Sequence, residues 1–317
     1  MTRHKRADLR KVKTTSIRAR KSKVRPTDFA VPFAASKDSF ALFVKGLPKI
    51  LAAEDLRKVV EDIIRARKRG APVILMMGAH VVKVGLTPLL VDLIRRRVIT
   101  AVAMNSAAAI HDVESAMWGH TSEDVAANML SGRFGMARET GEFINGTLFE
   151  AYRSSDMGYG EALGKRLIAS NARNKKVSLL ATCVSLGVPV TVHAAIGTDI
   201  IHQQPSMDGA ATGEMTFRDF RMFCETCKGL ARGGVVINLG SAVIMPEVFL
   251  KALTVARNLG AKARGFTTVV MDMNHHYRPA MNVQTRPTQD GGRGYYLTGH
   301  HEIMVPLMTA MIISRMR

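Results

Sequence analysis

The residues able to do chemistry in this chain stand where apolar runs break into polar ones. His111 and Asp112 come a few positions after the apolar run 98–104, and Asp199 follows a similar run over 188–193. Asp272 closes the run 266–271, with His275, His276 and Tyr277 behind it, and Glu302 lies in His300-His301-Glu302. Lys83 sits just beyond the run 71–77, among valines. A histidine beside a carboxylate can move a proton, and an aspartate in a crevice can clamp an ammonium group. A lysine in an apolar setting has its charged form disfavoured and can condense with a carbonyl. The expected catalytic set is therefore His111, Asp112, Asp199, Glu302 and Lys83, acting on an amine. A plainer reading stands beside each: a lone histidine more often satisfies a structural hydrogen bond, and Lys83 also reads as an ordinary surface cation.

The elements that must position these groups alternate. Residues 71–77, 98–104, 188–193, 235–239 and 266–271 are short apolar runs, the pattern of strands buried on both faces. Helical spacing covers 38–50, 54–69, 86–97, 139–153, 160–172, 177–186, 216–231, 246–258 and 304–315. Small-residue turns leave three of the strands: Gly78-Ala79, Asn105-Ser106-Ala107 and Gly240-Ser241. Such turns let phosphates approach backbone N–H groups and helix N-termini, and they equally permit tight helix–sheet packing. With Asp272 they form the expected cofactor-binding set, although no G-x-G-x-x-G is present. The order of elements predicts an α/β, Rossmann-like, doubly wound fold with a mostly parallel sheet. A helical insertion over about 119–175 is expected to cover the ligand edge.

Charge is unevenly spread. The net charge is +19, and residues 1–26 hold eleven Lys or Arg against one acid, Asp8, with no aromatic residue among them. Such a block reads as a disordered or extended arm, placed over residues 1–37, ahead of a single α/β domain over 38–317. Its expected contacts are weak and electrostatic, with RNA or an acidic neighbour, because nothing interleaves it for base stacking. No run approaches the roughly 18 apolar residues that span a bilayer, so no membrane partner is expected. No apolar segment follows the charges as in a secretory signal. Three cysteines, an odd number, suit a reducing compartment, and the cytoplasm is the expected location. Cys224 and Cys227 form a lone C-x-x-C and read as core or surface thiols.

Four segments, in order along the chain, carry a family resemblance: Met104-Asn105-Ser106-Ala107-Ala108-Ala109-Ile110-His111-Asp112, Pro189-Val190 onward to Asp199, the stretch 233–273, and His301-Glu302-Ile303-Met304-Val305-Pro306-Leu307. Over about residues 70–117 and 177–310 the chain resembles the deoxyhypusine synthase superfamily. That resemblance implies a nicotinamide-binding α/β fold with NAD as cofactor, a homotetramer, and acids after the Pro-Val strand that hold cofactor and polyamine. The segment from Asn105 to Glu114 is also similar to the archaeal NAD-dependent ornithine cyclodeaminase group. Two departures matter. The synthases carry a Trp-Gly-Lys segment whose lysine takes the aminobutyl group, whereas residues 280–299 contain no lysine or tryptophan. Their histidine pair after the Gly-rich turn is replaced by Met245-Pro246-Glu247. The expected activity is thus NAD-dependent hydride abstraction from a small amine, a polyamine or basic amino acid, giving an imine without authentic deoxyhypusine synthesis. Lys83 is the candidate to replace the missing lysine, beside its plainer reading as a surface cation. Two alternatives stand: a metal-assisted hydrolase built on His193, His202, Asp199 and Asp272, and a non-catalytic nucleotide- or RNA-associated protein.

Overall fold

The computed structural model describes Val31, residues 39–170 and residues 172–316, so the expected arm, apart from Val31, lies outside the described residues. Two units are distinguished, one up to Glu54 and one from Asp55. In the first, α1 (Phe40–Gly46) is short, with Phe40 and Phe43 rings 6.2 Å apart. Helix α2 (Leu51–Lys68) runs on into the second.

There the elements alternate as the apolar runs predict: β1 (Val73–Met77), α3 (His80–Lys83), α4 (Thr87–Arg95), β2 (Ala101–Asn105), α5 (Ser106–Trp118), α6 (Val125–Met129), α7 (Arg138–Ser154), α8 (Tyr159–Ala169), α9 (Leu179–Ser185) and β3 (Val190–His193). They continue through α10 (Gly209–Lys228), β4 (Val235–Leu239), α11 (Ile244–Asn258), β5 (Thr267–Asp272), the single turn α12 (Tyr277–Pro279), β6 (Arg293–Thr298) and α13 (His301–Ser314). Strands β1, β4 and β5 are buried at every position, which is why they read as unbroken apolar runs. All neighbouring strands are parallel, in the order β3-β2-β1-β4-β5-β6. This is the doubly wound, Rossmann-type order, with its switch point between β1 and β4. On one face, Ile74, Met76, Ala103, Val236 and Val270 pack against Phe223 of α10 and Phe249 and Leu253 of α11.

Several local expectations change. Asn105-Ser106-Ala107 is no free turn: helix α5 begins at once, because the Asn105 side chain accepts from the N–H of Ala108 at 2.9 Å. Likewise α10 starts at Gly209, seven residues before its expected start at 216, capped by Asp208 on the N–H of Ala211 at 2.7 Å. Strand β6 lacked an apolar signal because most of its residues are exposed or part-exposed, unlike β3 at the other edge, which is buried throughout. Helix α13 starts three residues before its expected start and contains Pro306.

At the switch point the two turns meet backbone to backbone. A Cβ on Gly78 would lie 2.1 Å from the carbonyl oxygen of Gly240. Gly240 has φ +64, and a Cβ there would meet His301 Cε1 at 2.9 Å. Because sheet backbone cannot yield as a side chain can, Gly78→Ala is expected to lower stability by about 3 kcal/mol in urea unfolding. Gly146→Ala, in the interior of α7 with open space around the new methyl, should instead gain up to about 1 kcal/mol.

Candidate functional site

A cleft of about 520 Å³ opens along α5, between that helix, the segment that follows it, the start of α7 and the loop after β3. Lys83, Ala107, His111, Glu114 and Asp199 all line it, with Trp118 and Phe134 as apolar walls. His111 and Glu114 are three residues apart on α5 and so share a face. Glu114 is held from two directions: Oε1 accepts from the Thr140 hydroxyl at 2.9 Å, and Oε2 accepts from the Thr121 hydroxyl. Thr121 Oγ1 also lies 2.5 Å from His111 Nδ1. A carboxylate has no proton to give, so the single hydroxyl proton of Thr121 goes to Glu114 and its oxygen accepts from His111 Nδ1–H. That assignment leaves His111 Nε2 with a free lone pair. Burial holds the His111 pKa below its ordinary value; Glu114 opposes this, and Lys83 adds to it. A neutral imidazole at pH 7 follows.

Asp199 faces the same cleft. The Ser106 hydroxyl donates to its Oδ2, and its side chain caps the turn Ile200–Gln203 reciprocally with His202. His202 Nδ1 accepts from the N–H groups of Gly197 and Asp199, each at 3.2 Å, which makes His202 a staple of the loop. The small residues Ser106 and Ala107 therefore serve this cleft, one holding Asp199 and the other lining the wall.

Asp112 does not join its sequence neighbour. Successive helix positions point about 100° apart, and Asp112 is buried, accepting from Ser178 Oγ at 2.6 Å and from the N–H groups of Leu179 and Leu180 at 2.8 and 3.2 Å. It caps α9, and burial raises its pKa to about 6 against those three hydrogen bonds. His193 is similarly buried, with Nε2 3.0 Å from Thr191 Oγ1 and the Phe223 ring 5.5 Å away; burial pulls its pKa down to about 3. Among the described residues no group of three or more His, Cys, Asp or Glu converges as metal ligands would, so His193, His202, Asp199 and Asp272 form no such set. All three cysteines are buried and free.

A second cluster gathers at the switch point. His80 of α3 and His301 of α13 pack with ring centroids 5.4 Å apart, beside the Gly240 turn. Asp272 ends β5, buried, 3.7 Å from His276 Nε2. Glu302 is exposed in the first turn of α13, 3.6 Å from His300 Nδ1, and lies outside the cleft wall. The His80 pKa is lowered by burial, then by His301 and Lys83, with Glu302 and Asp272 opposing. Lys83 is thus felt by His80 in this cluster and by His111 in the cleft. Its side chain is exposed, and it has no carboxylate partner among the described residues.

The structure therefore brings Lys83, His111 and Asp199 together and sets Glu302 and Asp272 at the neighbouring crevice. Glu114, Thr121 and Thr140 were missed. The i, i+3 pairing of His111 with Glu114 was a readable signal, whereas Thr140 arrives from a helix 26 residues later.

Residues 57–142 match the family described as arginine dihydrolase ArgZ-like, C-terminal, Rossmann fold. Among solved structures the chain resembles ArgZ, an arginine dihydrolase from the ornithine–ammonia cycle in cyanobacteria, at 17% identity and TM-score 0.53 over 83% of this chain and 32% of that one. AgrE, solved with ornithine and NAD+, matches at 13% identity and TM-score 0.51 over 83% and 33% of the two chains. A putative deoxyhypusine synthase from Entamoeba histolytica matches at 12% identity and TM-score 0.53 over 90% and 96%. No curated protein sequence matches. The chain spans about a third of the length of ArgZ and AgrE. At these identities the likeness is one of fold, and it agrees with the doubly wound sheet. No helix among the described residues is long and apolar enough to cross a membrane.

Proposed function

We propose that this chain is an NAD-dependent enzyme that takes a hydride from the amine-bearing carbon of a basic amino acid or polyamine, leaving an imine. The observation that carries this reading is the acid-lined cleft in which a neutral His111, its Nδ1 locked by Thr121 and Glu114, presents a free Nε2. Asp199 and Glu114 suit a cationic substrate, and the walls formed by Trp118 and Phe134 suit its methylene chain. His111 Nε2 takes the proton that the substrate ammonium must lose before its carbon can give up hydride. Asp199, steadied by Ser106, holds an ammonium group in place.

In this proposal the dinucleotide lies at the switch point, where sheets of this kind bind ligands. Gly78 and Gly240 meet backbone to backbone there, and no side chain from Gly78 to Ala79 or from Gly240 to Ala242 exceeds that of serine. The N–H groups of Gly78 and Gly240 are already given to the carbonyls of Leu239 and Met271, so these two residues would only make room for the phosphates, with Ala79 and Ser241 beside them and Asp272 holding a ribose hydroxyl; NAD, when bound, supplies the hydride acceptor. AgrE, with ornithine and NAD+ in its structure, lends the same direction. The test is a thermal-shift titration with NAD and NADH, followed by a screen of ornithine, arginine, lysine and polyamines for NADH formation. A nucleotide-dependent shift and NADH release with one of these amines are expected. No shift with either nucleotide would remove the proposal.

A further inference from the structure

The edge of the sheet where the strands begin carries charge that the cleft does not use. Beyond the eleven cations and one acid of residues 1–26, the chain still holds 34 Lys or Arg against 25 Asp or Glu. Many of these cations gather where α2, α4 and α13 end. Arg65, Lys68, Arg69 and Arg315 line a hollow of about 510 Å³, with Glu61 as its one acid. Arg67 Nε donates to the carbonyl of Arg96 at 3.4 Å, so the end of α4, with Arg95, Arg96 and Arg97, adjoins the end of α2.

Few of these charges are neutralised. Arg315 pairs with Glu61 at 3.1 Å and Arg96 with Asp92 at 2.8 Å. Arg65 shares Asp62, which is buried and also holds Arg293, both at 2.7 Å. Lys68, Arg69 and Arg95 have no acid partner among the described residues. Helix dipoles favour a cation in a last turn, but they account neither for a basic hollow shared by two helices nor for three unpaired cations beside it.

We propose that this edge binds the phosphodiester backbone of nucleic acid, on the opposite side of the sheet from the switch-point crevice. A concave basic surface accepts a charged ridge such as a backbone, whereas a flat anionic bilayer cannot fill it. No exposed large apolar side chain borders the hollow to insert among lipids. Without an aromatic residue in its lining the hollow has no platform for bases, so contact is with phosphates and independent of sequence.

The test uses the full chain, a labelled single-stranded RNA and fluorescence anisotropy across a salt series. The triple reversal Lys68→Glu, Arg69→Glu and Arg95→Glu is expected to weaken binding more than about tenfold and to flatten the slope of log affinity against log salt by about two. The control Lys165→Glu reverses an exposed cation on α8, where Lys165 pairs with Glu161 at 2.7 Å. It should leave affinity and slope unchanged, and thermal melts confirm that both variants fold. Unchanged RNA binding in the triple variant would overturn the proposal by placing all affinity elsewhere. So would an equal loss in Lys165→Glu, which would reduce the effect to net charge. Binding to phosphatidylserine vesicles that the triple reversal abolishes, with RNA binding intact, would overturn it in favour of a lipid surface.

Discussion

Asp219→Ala is expected to lower the stability of the fold by about 3–5 kcal/mol, measured by urea unfolding. Asp219, on α10, is fully buried, and its Oδ2 accepts from the N–H of Gly160 at 2.9 Å and from the N–H of Val192 at 2.6 Å. One carboxylate thereby ties the start of α8 to strand β3. Alanine strands both N–H groups without water, and neither backbone can move to find another acceptor. Asn keeps the volume and an acceptor, so Asp219→Asn should cost less than half as much. The two variants also separate charge from shape. Burial raises the Asp219 pKa from 3.8 to about 8. Between those values the folded chain holds a proton that the unfolded chain releases, so this group's stabilising contribution is full below about pH 4 and is lost as pH rises toward 8. The Asn variant has no such decline, and its deficit against the native chain should shrink from about pH 5 to about pH 8.5. The depressed histidines are common to both proteins and cancel. A deficit that does not change with pH would show that Asp219 is ionised in the fold throughout.

The second large effect is chemical. His111→Ala should reduce amine-dependent NADH formation by about 10²- to 10⁴-fold, the usual share of a positioned base. Its partners move the imidazole in opposite directions. Removing the Lys83 cation (Lys83→Met) should raise the His111 pKa, and removing the Glu114 charge (Glu114→Gln) should lower it further. Histidine NMR titration reads both without a substrate. Shifts of the same sign in the two variants would contradict the geometry described for the cleft.

Much of the fold was legible because its strands are buried on both faces. Residues 235–239 and 266–271 are uninterrupted apolar runs, and β4 and β5 fall on them to within a residue. Strand β6 has only Leu297 fully buried, so its sequence carries no such run. The cleft was legible residue by residue but not as a set. His111, Lys83 and Asp199 each stand after a strand, where position alone marks them. What local sequence could not say is which way each side chain turns. Asp112 differs from His111 by one helical step, and that step takes it to the N-terminus of α9. The same limit applied to the glycines. The residue type allowed a nucleotide phosphate or close packing at Gly78, and only the position of Gly240, far along the chain, shows that the two backbones touch there.

That contact has a kinetic side. Val73 and Val235 are neighbours in the sheet although some 160 residues lie between them, and β4 is flanked by β1 and β5. Pairing at such separation is entropically slow and comes after local helices have formed. During synthesis the contact between Gly78 and Gly240 cannot form until the chain has grown past Gly240, and Gly240 donates its N–H to Met271 of β5. A ribosome-bound chain ending before β4 would therefore show its early helices but lack the contact between Gly78 and Gly240. In the reading proposed above, nucleotide binding waits for β4 and β5.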